Sequence, residues 1–206
     1  QTTPGKANKK EDCCLVLASS SPRRRELLEQ TGVKFIVHSS SMKEIKFHDD
    51  GPEKLVMENA RIKTLKESKS FPNHFVLGAD TTVFLNDRVF GKPENLVEAR
   101  GMLLDLSGKT HSVSTGVCFC RKQFNYLETR VESSAVTFKD LNDSAIDDYL
   151  EKINPLDKAG GYAIQTRPDL IIEEFTGSQT NIIGLPMELL NLWFSELRTL
   201  FPMNFP

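Results

Sequence analysis

The chain has 206 residues, a formal net charge of −2 and 39% hydrophobic residues, so it is long enough to bury a full core as one domain or two small lobes. The near-neutral charge argues against a nucleic-acid-binding protein that works by bulk positive charge, and no apolar run is long enough to span a membrane. We therefore expect any anion-binding site to be a local cluster of cations.

The N-terminal segment, residues 1–12, is polar and lacks the hydrophobic region of a signal peptide. We interpret it as a disordered lead-in or an artificial extension before a single domain over residues 13–206. The cysteines form one adjacent pair and one pair separated by a single residue, which is not zinc-ligand spacing: Cys13, Cys14, Cys118 and Cys120. The last two fall on one face of a predicted strand and are expected to be reduced core residues, which favours a cytoplasmic protein.

Hydrophobic periodicity and turn residues predict strands and helices that alternate, with hairpins interrupting the pattern. The predicted strands are 13–18, 33–37, 75–79 with an extended continuation over 81–90, 112–120, 127–138, 162–165 and 170–174. The predicted helices are 22–30, 53–67, 96–106, 144–152 and 186–200. This mixture predicts an α/β protein whose sheet is mixed rather than purely parallel.

The start of the first predicted helix is unusually basic. Ser21 is a suitable N-cap and Pro22 suits the first helical position, but three arginines follow them, Arg23 to Arg25. Cations are disfavoured at a helix N-terminus because the helix dipole is positive there. A bound phosphate chain would explain them, since it would meet backbone N–H groups, serine hydroxyls and guanidinium groups together. A solvated basic turn explains this segment equally well.

Further along the chain, three charged residues are candidates for the same site. Glu44 follows the second predicted strand and could reach a metal, although a solvated glutamate is the default interpretation. Lys63 lies at the apolar edge of the second predicted helix, where a lysine usually extends its amine to water. Lys92 stands in a Gly-Lys-Pro turn, where an exposed loop lysine is the simpler interpretation.

Asp80 is the best candidate for a catalytic carboxylate. It directly follows the apolar run Phe75–Ala79, so we expect it at the carboxyl end of a buried strand, where α/β sheets place ligand crevices. Such a carboxylate can bind a metal or accept a proton from water. The alternative is a surface aspartate that opens a turn.

Two glycine-bearing segments, 155–165 and 177–186, contain neither a Walker nor a dinucleotide fingerprint. Gln165, at the end of the first of them, can both donate and accept hydrogen bonds. Each segment alone is explained by turn chemistry.

Taken together, these segments resemble the Maf family of nucleoside triphosphate pyrophosphatases. The resemblance covers nearly the whole chain beyond the N-terminal tail, and its motifs occur in the family's order. They are Leu17-Ala18-Ser19 with Ser21-Pro22-Arg23-Arg24, Asn59-Ala60-Arg61-Ile62-Lys63, Gly78-Ala79-Asp80-Thr81, Gly91-Lys92-Pro93, Leu106-Ser107-Gly108, Asp157 to Tyr162, Ile164-Gln165 and Asn181 to Pro186. Each motif is weak alone, and the ordered set is highly specific.

The resemblance implies an elongated α/β fold of the inosine-triphosphate-pyrophosphatase-like type, with a mixed central sheet, flanking helices and a cleft between two lobes. It also implies a homodimer and hydrolysis of a nucleoside triphosphate to the monophosphate and pyrophosphate with a divalent metal, Mg²⁺ before Mn²⁺ or Co²⁺. In the family the aspartate matching Asp80 is the proton acceptor, and Glu44 matches a site carboxylate that would share the metal. The positions matching Ser19, Arg23, Arg24, Lys63 and Lys92 bind the polyphosphate.

Base preference follows from the same resemblance. Members similar to dTTP/UTP pyrophosphatases have arginine, threonine and glutamine at three specificity positions, which here are Arg23, Thr81 and Gln165. This implies pyrimidine substrates, either canonical or modified. Three alternatives stay open: a pyrophosphatase of the purine or methylated-GTP type, a nucleotide-binding regulator of cell division without catalysis, and an unrelated α/β domain.

Overall fold

The computed structural model describes residues 15–206, so the predictions for residues 1–12 and for Cys13 and Cys14 lie outside the described residues. The strands are β1 (Leu15–Leu17), β2 (Phe35–Val37), β3 (Phe75–Leu85), β4 (Arg88–Phe90), β5 (Thr110–Arg121), β6 (Tyr126–Phe138) and β7 (Ile172–Thr176). The helices are α1 (Pro22–Glu29), α2 (Pro52–Ser68), α3 (Leu96–Leu106), α4 (Asp143–Leu150), α5 (Pro168–Ile171), α6 (Gln179–Ile183) and α7 (Met187–Leu200).

One mixed sheet of seven strands organises the described part of the chain, in the order β2-β1-β3-β5-β6-β7 with β4 paired to β3. Strand β1 runs parallel to both β2 and β3, whereas the pairs β3–β5, β5–β6 and β6–β7 are antiparallel. The hairpin between β5 and β6 lies where the sequence predicted it. The predicted α/β class and mixed sheet are confirmed.

Two large hydrophobic clusters pack along this sheet. The first gathers β1, α1, α7 and the beginning of β3, with Trp193 fully buried in it. The second gathers β4, α3, α4 and the end of β3, with Tyr149 and Phe138 fully buried. The long strands β3 and β5 contribute to both clusters, so the same strands link the two halves of the molecule.

Helix α2 lies very close to the other face of the sheet. A Cβ atom added to Gly116 of β5 would lie 2.5 Å from the backbone of Val56, and one added to Gly78 of β3 would lie 2.8 Å from the carbonyl oxygen of Ala60. Only glycine permits this approach. The contact fixes the height of α2 above β3, which matters because α2 and β3 both carry candidate site residues.

Several predicted elements differ from the structure. Residues 162–165 are irregular and end in a turn rather than forming a strand, because Tyr162 is held by the ring of His111 instead of by a strand partner. The predicted strand 170–174 begins as the short helix α5 and becomes β7 only at Ile172. Helix α6 was not predicted, although Ser178 caps it by accepting a hydrogen bond from the N–H of Asn181.

The thiols of Cys118 and Cys120 are free and buried, as the core interpretation predicted. Within residues 15–206, none of the helices has the length and apolar character needed to cross a membrane.

Candidate active site

A cleft of about 810 Å³ brings the predicted site residues together. Its walls come from β3, α2, the start of α1, the β2–α2 loop and the segment around residues 157–165. Every candidate named from the sequence lines it: Ser19, Arg23, Arg24, Glu44, Lys63, Asp80, Thr81, Lys92 and Gln165.

Asp80 lies in the interior of β3 and not at its end, which corrects the sequence prediction. Strand β3 continues to Leu85 because it pairs with β5 along its length, with Asp80 opposite Gly116. The parallel pairing with β1 stops at Leu77, however, so the sheet narrows just before Asp80. Asp80 is 8% exposed, and its place just beyond the end of the neighbouring strand β1 still puts it beside the cleft.

Two side chains of α2 hold the Asp80 carboxylate. The Nζ atom of Lys63 donates to Oδ1 at 2.6 Å, and the amide of Asn59 donates to Oδ2 at 3.1 Å. Residues four apart lie on the same face of a helix, so the spacing of Asn59 and Lys63 presents both groups to β3 together. Each oxygen of Asp80 therefore has a fixed donor and keeps a lone pair for a further partner.

Glu44 reaches the same lysine from the loop between β2 and α2. Its Oε1 atom lies 2.7 Å from Nζ of Lys63, so one ammonium joins both predicted metal-binding carboxylates. Partial burial acts to raise the pKa of Glu44, but Lys63, Lys92 and Arg24 outweigh it and hold that pKa below its ordinary value. The carboxylate is thus kept ionised among cations.

Thr81 points to the opposite face of the sheet from Asp80, as alternation along a strand requires. There it meets Arg24 of α1, whose Nη2 donates to the Thr81 hydroxyl at 3.0 Å. The same guanidinium donates to the hydroxyl of Ser19 at 3.2 Å and to the carbonyl oxygen of Gly184 at 2.7 Å. Three of the five N–H donors of Arg24 are therefore bonded to the protein. Arg24 links Ser19, a predicted phosphate-binding residue, with Thr81, a predicted specificity residue.

Burial lowers the pKa of Arg24, and the Asp80 carboxylate opposes that shift. Ser21 occupies the N-cap position of α1, but its side chain makes no capping hydrogen bond. Instead its backbone N–H donates to the hydroxyl of Ser19. Arg25 is exposed and pairs with Glu29, so it does not share in the contacts that Arg24 makes.

Arg23 crosses the cleft to a partner that the sequence did not single out. It donates to the Asp157 carboxylate at 2.9 Å and to the Asp157 carbonyl oxygen at 3.2 Å. Lys158 holds the other carboxylate oxygen at 2.5 Å. Burial acts to raise the pKa of Asp157, but these two cations outweigh it and the pKa is lowered. Asp157 and Lys158 are thus additional residues of the cleft. The sequence feature that could have identified them is the motif from Asp157 to Tyr162, which contains both.

The two remaining candidates, Lys92 and Gln165, are exposed residues on the cleft wall. Across the site, cations outnumber carboxylates, which suits a polyanionic ligand. Among residues 15–206, no three histidine, cysteine or acidic residues form a metal-binding group. Asp80 and Glu44 are the residues that could hold Mg²⁺, which typically takes one or two protein carboxylates and completes its shell with water and phosphate oxygens.

Comparison with known proteins defines the class to which this fold and cleft belong. The family model described as Maf-like protein matches residues 14–197. The chain therefore belongs to the Maf-like family, and the predicted membership is confirmed.

Three relatives that share one name agree with this assignment. A dTTP/UTP pyrophosphatase from Syntrophus aciditrophicus is 44% identical over 84% of this chain and 84% of its own length. A protein of the same name from Akkermansia muciniphila is 42% identical over 84% of this chain and 90% of its own. One from Bacillus anthracis is 41% identical over 85% of this chain and 91% of its own. A solved Ham1 protein from Staphylococcus aureus is 12% identical, with a TM-score of 0.47 over 88% of this chain and 98% of that one.

Proposed function

We propose that this chain hydrolyses pyrimidine nucleoside triphosphates, dTTP and UTP in the first place, to the nucleoside monophosphate and pyrophosphate. The observation that carries the proposal is the contact of two carboxylates, Asp80 and Glu44, with one ammonium in a cleft otherwise rich in cations. Family membership and the names of the relatives at 41–44% identity support the broader class, a nucleoside triphosphate pyrophosphatase.

In the proposed reaction Asp80 accepts the proton of a water molecule as that water attacks the α-phosphorus in line with the departing pyrophosphate. Lys63 holds one oxygen of that carboxylate, and fixed groups need no reorganisation during the reaction. A positioned general base contributes about 10²–10⁴-fold in rate. The pyrophosphate leaving group requires compensating positive charge, which Lys63, Lys92 and Arg23 supply from the walls of the cleft.

The triphosphate would be held by charge-assisted hydrogen bonds, each worth on the order of 1.5–3 kcal/mol. We assign Arg23, Lys63 and Lys92 to the phosphate oxygens. Ser19 and Arg24 are assigned to the same chain of phosphates, with Arg24 acting partly through the Ser19 hydroxyl that it holds.

We further propose that Asp80 and Glu44 hold a divalent cation, Mg²⁺ before Mn²⁺ or Co²⁺. When bound, such a cation would add positive charge against the phosphate oxygens and lower the pKa of a bound water. Both carboxylates already share Lys63, so Lys63 and the cation would divide the same two acceptors.

Base choice is assigned to Arg23, Thr81 and Gln165. Each of the first two side chains has a partner that orients it. Asp157 accepts a hydrogen bond from Arg23, and Arg24 donates one to Thr81. A homodimer and a cytoplasmic location, which the sequence led us to expect, stay predictions.

The experiment is a pyrophosphate-release assay with the full chain, run with and without Mg²⁺ on dTTP, UTP, CTP, 5-methyl-UTP, ITP and 7-methyl-GTP. We expect metal-dependent turnover that is fastest with dTTP and UTP. Rapid turnover of ITP or 7-methyl-GTP without turnover of dTTP or UTP would reject the pyrimidine assignment. Tight binding of dTTP without hydrolysis would instead favour a nucleotide-binding regulator.

A further inference from the structure

Asn59 makes three hydrogen bonds, one to the proposed base Asp80 and two to Ile45 in the loop that carries Glu44. Its Nδ2 atom donates to Oδ2 of Asp80 at 3.1 Å and to the carbonyl oxygen of Ile45 at 3.0 Å, while its Oδ1 atom accepts the N–H of Ile45 at 2.9 Å. The residue is 3% exposed. Both amide hydrogens are used, and the two bonds to one backbone residue fix which end of the amide is oxygen.

These bonds close a ring of contacts around the two carboxylates. Ile45 directly follows Glu44, Glu44 contacts Lys63, and Lys63 contacts Asp80. Asn59 joins the two ends, Ile45 and Asp80. Three structural units meet in this ring: α2 supplies Asn59 and Lys63, β3 supplies Asp80, and the β2–α2 loop supplies Glu44.

The loop depends on side chains of α2 for its position, because residues 38–48 have no regular secondary structure. Lys66 donates to the carbonyl oxygen of Ser41, and Glu67 accepts the N–H of Ser40. Neither of these anchors touches Asp80. Asn59 therefore differs from them, because it holds the loop and the carboxylate with one rigid amide.

We propose that Asn59 is a positioning residue, which fixes Asp80 in its productive orientation and holds the Glu44-bearing loop in register with it. The inference rests on the proposed function, since it assigns Asn59 to that same site. A carboxylate held at both oxygens has one orientation, and misplacement of a reacting group by about 1 Å can cost on the order of 10²-fold in rate.

The first test is kinetic and uses Asn59→Leu, which is close in volume and lacks the amide. We expect kcat for dTTP to fall about ten- to a hundredfold with KM changed less than about twofold. In an Asp80→Asn background the same substitution should cost at least about fivefold less, because the group that it positions no longer accepts a proton. A purely structural role would give the same factor in both backgrounds and would overturn the proposal.

The second test measures the loop directly by hydrogen exchange of the Ile45 amide. We expect exchange to accelerate at least about tenfold in Asn59→Leu and to stay unchanged in the control Lys66→Ala, which removes a loop anchor that does not reach Ile45. If Asn59→Leu does not fold, Asn59→Ser takes its place with the same expectations. Wild-type protein without turnover contradicts the proposed function, whereas wild-type turnover matched by an Asn59 variant overturns this inference alone.

Discussion

The Nζ atom of Lys63 donates to Oδ1 of Asp80 across 2.6 Å, from α2 to β3. The distance between these elements is set by glycine, since β3 and β5 offer Gly78 and Gly116 where α2 passes. The ion pair is thus a consequence of how closely a helix approaches a sheet. The predictions below follow from this arrangement and from its neighbours in the cleft.

The first prediction concerns the proposed base. Asp80→Asn keeps the shape of the side chain and removes the proton acceptor, so we expect kcat for dTTP to fall about 10²–10⁴-fold. The matched control is Asp87→Asn in the exposed β3–β4 turn, which should behave as wild type. Circular dichroism of both variants should match that of wild type, and near-full turnover by Asp80→Asn would refute its assignment.

The second prediction concerns the shared cation. Lys63→Met removes one charge-assisted hydrogen bond to the substrate, so we expect kcat/KM to fall on the order of 10–100-fold. The pKa of Glu44 should rise as well, because Lys63 is the strongest influence that lowers it. Carboxyl titration by NMR measures this shift. Lys69→Met, an exposed lysine just beyond α2, is the control, and a variant indistinguishable from it would contradict the assignment.

The third prediction concerns the orientation of Arg23. Asp157→Asn removes the charge that holds Arg23 across the cleft, so we expect KM for dTTP to change and the preference of dTTP over ITP to weaken. Thermal stability should change little, because the pair is partly exposed and such salt bridges contribute only about 0–1 kcal/mol. Unaltered substrate preference, together with unaltered KM, would show that Asp157 does not orient Arg23.

The fourth prediction concerns acid stability. Burial lowers the pKa of His111 to about 4, and its Nε2 atom lies 2.8 Å from the hydroxyl of Tyr162. In the unfolded chain the His111 imidazole binds a proton below a pH of about 6.5, whereas in the folded chain it binds one only below a pH of about 4. The contribution of His111 to the free energy of unfolding is therefore fully present above a pH of about 6.5. It falls as the pH decreases from there to about 4, by roughly 1.4 kcal/mol per pH unit and on the order of 3 kcal/mol in all.

Denaturant unfolding between pH 7 and pH 4 measures this dependence. His111→Gln should flatten the slope over that range, even if it is less stable at pH 7. The control His74→Gln, which changes a histidine outside the hydrophobic clusters, should keep the wild-type slope. Equal slopes for wild type and His111→Gln would contradict the account.

The fifth prediction concerns the close approach of α2. Gly116→Ala would place a Cβ atom 2.5 Å from the backbone of Val56, so we expect a loss of about 1–3 kcal/mol or more in unfolding free energy. Gly101→Ala is the control, since a Cβ atom there meets nothing within 4 Å. That change lies within α3 and should stabilise by about 0.5–1 kcal/mol. A neutral Gly116→Ala would mean that the helix is free to move away.

The regular elements were predictable where one periodicity dominates. Helix α3 has the predicted bounds, 96–106, because its apolar residues recur at helical spacing and Asn95 caps it. Residues 162–165 misled the prediction because the short apolar run Tyr162–Ile164 fits a strand or a buried loop equally. The partner that decides, the ring of His111, lies about fifty residues away in sequence.

The site was predictable as a set of residues and not as a set of contacts. The order of the family motifs along the chain identified Asp80, Lys63 and Arg23, and all three line the cleft. The contacts between these segments could not be predicted from the sequence, because they depend on tertiary packing. Examples are the hydrogen bonds of Asn59 with Ile45 and of Arg23 with Asp157. The tight packing of α2 on two glycines was hidden for the same reason.

The measurement that tests the central claim most directly is ³¹P NMR of dTTP incubated with the full chain and Mg²⁺, with Asp80→Asn run in parallel. We predict equal amounts of dTMP and pyrophosphate with wild type, and little product with the variant over the same time. Formation of dTDP and phosphate, or the same products at the same rate from Asp80→Asn, would contradict the account.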